Sequence, residues 1–98
     1  MDQIRIELSW AEAQRATLKS LVHNGTAIET PIVKDTLRGM TIEYTAESFA
    51  SHKLRAVLDF TGLILHDLKC DVIVNGVSKR VDKTKERAHF WRIVGRWE

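Results

Sequence analysis

The sequence predicts an α+β domain in which two helices cover one face of an antiparallel sheet. Three observations lead to this prediction: an alternating apolar segment at Ile4–Leu8, an apolar stripe at helical spacing between about residues 47 and 68, and the dipeptide Asn75-Gly76 between two β-branched segments. The 98 residues are the length of one small core, so we expect a single domain.

The first strand and the first helix follow from local patterning. Ile4, Ile6 and Leu8 alternate with polar residues, which is the period of a half-buried strand. Glu12 follows Ser9 by three residues, the spacing of a capping box, so a helix is predicted to begin at Ser9 and to end near Gly25. Its apolar stripe comprises Trp10, Ala13, Thr17, Leu18, Leu21 and Val22.

Two strands are predicted next. The segment from Ala27 to Lys34 contains Pro31, which cannot donate to a ladder, so this strand is expected at a sheet edge. Residues 35–39 are predicted to connect it to a second strand, in which Met40, Ile42 and Tyr44 alternate with polar residues.

The second helix is predicted from about Glu47 to Leu68, with Thr45 or Ser48 as its cap. Its apolar positions recur at spacings of three and four residues, as a core-facing helix requires. They are Ala50, Leu54, Val57, Leu58, Thr61, Ile64, Leu65 and Leu68.

The last third of the chain is predicted to be extended. Asn75-Gly76 indicates a tight hairpin, because both central residues of a type I′ turn need positive φ. Residues 88–97 fit a strand or a helix, and the strand is favoured because aromatic and β-branched residues dominate the segment. The order is therefore β-α-β-β-α-β, the ferredoxin-like two-layer sandwich over residues 1–68, with an additional hairpin strand and a basic, aromatic tail over residues 69–98.

Charge is divided unevenly along the chain. Residues 1–68 carry seven Lys/Arg and nine Asp/Glu, whereas residues 69–98 carry eight Lys/Arg and four Asp/Glu. The net charge of +2 therefore conceals a basic C-terminal third, and such asymmetry indicates an interaction surface.

Short residue pairs in the first two thirds of the chain resemble a known family. They are Lys34-Asp35, Ala46-Glu47-Ser48 and Leu54-Arg55. With the predicted strand-helix-hairpin-helix order, residues 4–68 resemble the small dimerising subunit of the KEOPS tRNA-modification complex. The resemblance implies an accessory subunit that acts through a macromolecular partner.

Catalytic and metal chemistry find little support in the sequence. His66 and Cys70 are four residues apart, but a structural zinc site needs four ligands, and no metal is expected. No nucleophile elbow, phosphate loop or dinucleotide fingerprint is present, so we expect no enzyme, no cofactor and no small-molecule substrate. The chain shows no apolar run of membrane-spanning length and no secretory signal at its start, and a cytoplasmic location without membrane contact is expected.

The sequence thus predicts a small binding module that acts as an adaptor or regulator. A protein partner or self-association as a homodimer is placed first, because open sheet faces and Trp/Arg clusters bind other chains. The alternative is RNA or DNA, with cations on phosphates and aromatic rings stacked on bases. The predicted partner-binding residues are Lys79, Arg80, Lys83, Lys85, Arg87, Trp91, Arg92, Arg96 and Trp97.

Overall fold

Two antiparallel sheets of five strands enclose one apolar core. The computed structural model describes residues 1–48, 50–62, 68–79, 83–87 and 89–97, of which residues 83–87 are described as backbone. These residues contain no helix, so they also hold no helix long and apolar enough to cross a membrane. The strands are β1 (Asp2–Ser9), β2 (Ala16–His23), β3 (Thr26–Ala27), β4 (Ile32–Thr36), β5 (Gly39–Ala46), β6 (His52–Phe60), β7 (Lys69–Val74), β8 (Val77–Lys79), β9 (Lys83–Arg87) and β10 (Phe90–Trp97).

The chain crosses between the sheets several times. Sheet A has the order β4-β5-β1-β7-β8, and sheet B has the order β3-β2-β6-β10-β9. The interior strands alternate buried and exposed residues, so each sheet presents one face to the core and the other to solvent. Strands β7 and β8 belong to sheet A, and β9 and β10 belong to sheet B. Strands β7 and β10 both contribute buried residues to the core.

The predicted second helix is wrong, and its central part is the interior strand β6. Residues 52–60 satisfy two periodicities, because Leu54 and Leu58 share a helical stripe but also lie on one side of a strand. In the structure His52, Ala56 and Phe60 complete the buried row of that strand. The predicted stretch at 63–67 lies outside the described residues.

The predicted first helix is also wrong. Ser9 ends β1, and Trp10 then bridges to the β4–β5 turn, where its backbone N–H donates to Arg38 O and its indole Nε1–H donates to Leu37 O. Strand β2 follows, with a register shift between Leu18 and Ser20. This bulge interrupts the alternation of apolar residues and hides the strand period from the sequence.

The ferredoxin-like α+β sandwich is therefore contradicted by an all-β architecture in the described residues. The order of elements on which the KEOPS resemblance depends is absent from the described residues, where strands and connections lie at the positions of both predicted helices. The predicted strand from Ala27 to Lys34 is two strands, β3 and β4, which lie in different sheets. Both are edge strands, as Pro31 indicated, and β4 extends into the predicted connection as far as Thr36.

Three predicted strands and the hairpin are confirmed. The alternating segments near both ends of the chain form β1 and β10, and Met40 to Tyr44 lie within β5. Asn75 and Gly76 adopt φ values of 50° and 82° between β7 and β8, as a type I′ turn requires. Asn75 is further fixed to β1, because its N–H donates to Gln3 O and its Oδ1 accepts from Gln3 N–H.

Candidate functional site

The two predicted tryptophans lie in the core. Trp91 is 0% exposed and Trp97 is 7% exposed, and both occupy the buried row of β10 with Ile93. Their rings are therefore unavailable for stacking on unpaired bases, which corrects the role that the sequence suggested for them. The aromatic residue of β10 that does reach solvent is Phe90, which is 43% exposed and packs beside His89.

The outer face of sheet B is basic. Arg92 and Arg96 occupy outward positions of β10, and Lys53 and Arg55 occupy the adjacent outward positions of β6. In the register of the two strands, Arg96 lies opposite Lys53, and Arg55 lies opposite Val94. We call these four cations the basic face, and the fold assembles it from segments about forty residues apart in the sequence.

Strand β9 places three further cationic residues in register with outward positions of β10. Lys83, Lys85 and Arg87 are in register with Val94, Arg92 and Phe90, whose side chains lie on the outer face of β10. Lys79 instead belongs to β8 in sheet A and pairs with Val72, so the fold separates it from the basic face. The predicted residue Arg80 lies outside the described residues.

The cations of the basic face have no carboxylate partner among the described residues. The acidic residue on the outer row of β6 is Asp59, and its carboxylate lies 4.0 Å from Lys19 Nζ and 3.7 Å from His89 Nε2. Like charges placed directly opposite each other on neighbouring strands are destabilising. The Arg96–Lys53 pair is therefore locally destabilising, and no carboxylate among the described residues offsets the repulsion.

The outer face of sheet A provides a contrast. Arg5 Nε lies 3.2 Å from Glu7 Oε1 and 3.7 Å from Glu43 Oε1, so its charge is balanced by its neighbours. Lys34 and Lys69 share this face with Asp71. Sheet A thus presents a surface of mixed charge, and sheet B presents a cationic surface. Positive charge is therefore concentrated on one sheet face and not in one part of the sequence.

A shallow depression of about 440 Å³ lies on the basic face. The aliphatic side chains of Val22 and Val94 separate the cations there, so the surface offers contact area as well as charge. Gly95 lies beneath it, where the Trp97 ring covers the position that a Cβ would occupy. The lining residues are Val22, Gly25, Lys53, Leu54, Arg55, Val94, Gly95 and Arg96.

Sequence reasoning missed Lys53 and Arg55. The helix predicted from about Glu47 to Leu68 contains both residues, and its pattern gives no reason to place them beside the last strand. The alternation of Lys53, Arg55 and Asp59 with apolar residues was the pattern that could have placed them on the outer face of a strand.

A second polar cluster joins the sheets inside the core. Tyr44 Oη lies 2.8 Å from His23 Nδ1, His23 Nε2 lies 2.7 Å from His52 Nδ1, and His52 Nε2 lies 2.9 Å from Asp2 Oδ2. Hydrogen bonds from Asn75 and Ser48 to the Asp2 carboxylate hold its pKa below the usual value. Burial, and then the proximity of His52, lower the pKa of His23 to about 4.

This cluster does not have the arrangement of a catalytic site. Both ring nitrogens of His23 are already engaged within the cluster, which leaves neither for a substrate proton. Burial raises the pKa of the Tyr44 hydroxyl, so a phenolate nucleophile is disfavoured.

Cys70 is equally unsuited to nucleophilic catalysis. Burial, followed by the charge of Asp71, raises the pKa of its thiol to about 12, and only the thiolate is strongly nucleophilic. Its predicted partner His66 lies outside the described residues, and the described residues contain no group of three side chains suited to hold a metal ion.

Comparisons of the chain with protein-family models, with curated proteins and with solved structures find no match.

Proposed function

We propose that this protein is a small non-catalytic binding module whose ligand is nucleic acid, held by the basic face of sheet B. The observation that carries the proposal is the opposition of Arg96 and Lys53 on neighbouring strands without a described carboxylate near either. Phosphate groups would neutralise such a pair, and phosphate contacts dominate the affinity of proteins for nucleic acid.

The composition of the face favours contacts to the backbone rather than to bases. Three of its four cations are arginines, which bind phosphate through paired N–H groups, and its apolar members are aliphatic. With both predicted tryptophans in the core, Phe90 at the end of β10 is the aromatic side chain placed to stack on a base. We therefore expect binding that depends weakly on sequence, since phosphate contacts position a protein without reading bases.

The strand geometry suits a chain of phosphates. Alternate residues on one side of a strand are about 6.7 Å apart and neighbouring strands are about 4.8 Å apart. Lys53 and Arg55, together with Arg96, therefore form a compact cationic patch that a phosphate backbone can follow. The β9 positions Lys83 and Lys85 would lengthen this patch across the sheet.

Sheet edges give less support to the protein-binding alternative. Strand β3 has two residues and β8 has three, while β9 is rich in Lys and Arg. On β4, Asp35 is in register with the buried Met40 and its Oδ2 accepts from Arg15 Nη1 at 3.1 Å. Short edges and inward-facing charges are devices that prevent strand pairing between chains, so we expect neither a homodimer nor a partner strand at these edges.

The proposal is tested by fluorescence anisotropy with labelled DNA and RNA of mixed sequence, single-stranded and duplex, across a salt series. The logarithm of the binding constant should fall linearly with the logarithm of the salt concentration. The slope should be roughly 3 to 6 in magnitude if most cations of the basic face and of β9 neutralise one phosphate each. An acidic protein domain, assayed in parallel, tests the protein alternative on the same face. Absence of nucleic-acid binding at low salt would refute the proposal.

A further inference from the structure

The buried cluster links the two sheets through a continuous line of hydrogen bonds. Asp2 and Tyr44 belong to β1 and β5 of sheet A, whereas His23 and His52 belong to β2 and β6 of sheet B. His23 is 3% exposed and His52 is 5% exposed, so these bonds form away from bulk water, where leaving a polar group unpaired is costly.

One protonation pattern satisfies every bond in the neutral cluster. The Asp2 carboxylate accepts from His52 Nε2–H, so the neutral His52 ring has an acceptor at Nδ1. His23 Nε2–H then donates to that nitrogen, and His23 Nδ1 accepts the hydroxyl proton of Tyr44. Both histidines are therefore the Nε2–H tautomer.

The pair of rings can bind one proton without losing its shared hydrogen bond. If His52 is cationic, its Nδ1–H donates to His23 Nε2, and His23 can donate through Nδ1–H to the Tyr44 oxygen. A second proton places N–H groups on both facing nitrogens, 2.7 Å apart, where neither has a lone pair to accept. Two adjacent cations also repel each other in a buried site.

Among the described residues, no second carboxylate contacts the two rings. Asp2 faces His52 and is shared with Ser48 and Asn75. Glu47 and Met1 line a cavity of about 240 Å³ that also touches His23, and this cavity gives a route for water to reach the ring. Tyr44 is the titratable group from β5, and its hydroxyl is already bonded to His23.

We propose that the hydrogen-bonded chain Tyr44–His23–His52–Asp2 is an acid-sensitive link between the two sheets. The link is intact when the histidine pair carries at most one proton, and it breaks when both rings are protonated. This inference is independent of the proposed function of the basic face. It assigns to the cluster a conformational response to acid, in which the ends of β2 and β6 separate from β1 and β5 as water enters.

Imidazole nitrogen shifts measured by NMR in the wild-type protein test the neutral state directly. Near pH 7.5 both rings should be Nε2–H tautomers with slowly exchanging protons. An Nδ1–H tautomer at either ring, or rapid exchange of both ring protons with water, would overturn the assignment.

Stability measured against pH tests the opening. The equilibrium constant of unfolding should rise roughly twentyfold between pH 7 and pH 5, because the unfolded chain binds a proton at His23 that the folded chain excludes. His23→Gln should flatten this dependence, whereas His89→Gln, an exposed histidine, should retain it. If His23→Gln fails to fold, Tyr44→Phe serves instead: it should lower stability at all pH values and keep the slope. The proposal would be refuted if the unfolding constant of the wild type did not change with pH, or if it changed equally in the wild type and in His23→Gln.

Discussion

Arg96 of β10 and Lys53 of β6 lie directly opposite each other on the outer face of sheet B, and no described carboxylate pairs with either. A fold selected for stability alone would place an acidic residue at one of these positions, because opposite charges across a strand pair are favourable. The molecule uses that arrangement on sheet A, where Arg5 lies opposite Glu43 on the neighbouring strand. The contrast between the two faces is the main reason to place the ligand on sheet B.

Lys53→Glu is predicted to stabilise the protein while weakening its binding. The substitution replaces a repulsive cross-strand pair with an attractive one facing Arg96, which should raise the free energy of unfolding by about 0.5 kcal/mol. Urea denaturation and binding to a mixed-sequence duplex, measured on the same preparation, check both effects. Lower stability in the variant would contradict the repulsion, and unchanged affinity would remove Lys53 from the ligand site.

Gly95→Ala is predicted to be strongly destabilising. A Cβ at this position would lie 2.2 Å from Trp97 Cζ2, so the indole ring would have to leave its place in the core. Overpacking of this kind costs about 1–3 kcal/mol, and thermal denaturation measures it. Gly62→Ala is the matched control, because its Cβ would meet only the end of the Gln14 side chain at 3.3 Å. Similar losses in both variants would show that the Trp97 contact is unimportant.

Phe90→Ala is predicted to lower affinity for single strands and to leave duplex binding nearly unchanged. The side chain is 43% exposed at the end of the basic face, where an unpaired base can stack on it. Loss of one such contact costs about 1 kcal/mol, or roughly fivefold in affinity. Trp91→Phe provides the comparison, since a core substitution should change stability rather than affinity. An equal loss of duplex affinity in Phe90→Ala would contradict stacking.

The protein is predicted to be a monomer in solution, and Asp35→Val is predicted to associate. Asp35 places a charge on the inward side of the edge strand β4, where Arg15 holds it. Its replacement would leave an apolar edge that also contains Ile32 and Val33, which are 60% and 40% exposed. Sedimentation velocity at several concentrations reports the change, with Asp35→Asn as the polar control. A wild-type dimer would contradict the argument from the edges.

The sequence identified those elements in which a single period dominates. Strand β1 and the strand at Met40–Tyr44 alternate without ambiguity, and Asn75-Gly76 has few alternatives to a tight turn. Residues 52–60 fit two periods, and the sequence favours the helical one because apolar residues continue at its spacing as far as Leu68. A histidine suggests an exposed position in a sequence, but His52 is buried because Asp2 and His23 bond both of its ring nitrogens.

The candidate site was predictable only in part. The basic, C-terminal composition pointed to Arg92 and Arg96, and the structure places both on the outer face of sheet B. Lys53 and Arg55 join them through the pairing of β6 with β10, a long-range contact that no local pattern specifies. The tryptophans next to these arginines fill the core for the same reason, since adjacent residues of a strand face opposite sides.

The central claim is that the basic face, and not net charge, binds nucleic acid. The direct test compares the double variant Lys53→Ala/Arg55→Ala with Lys34→Ala/Lys69→Ala, which removes the same charge from the outer face of sheet A. Affinity for a mixed-sequence duplex at low salt should fall about tenfold or more in the first variant and less than about twofold in the second, with a reduced salt slope only in the first. Equal losses in the two variants would contradict the claim.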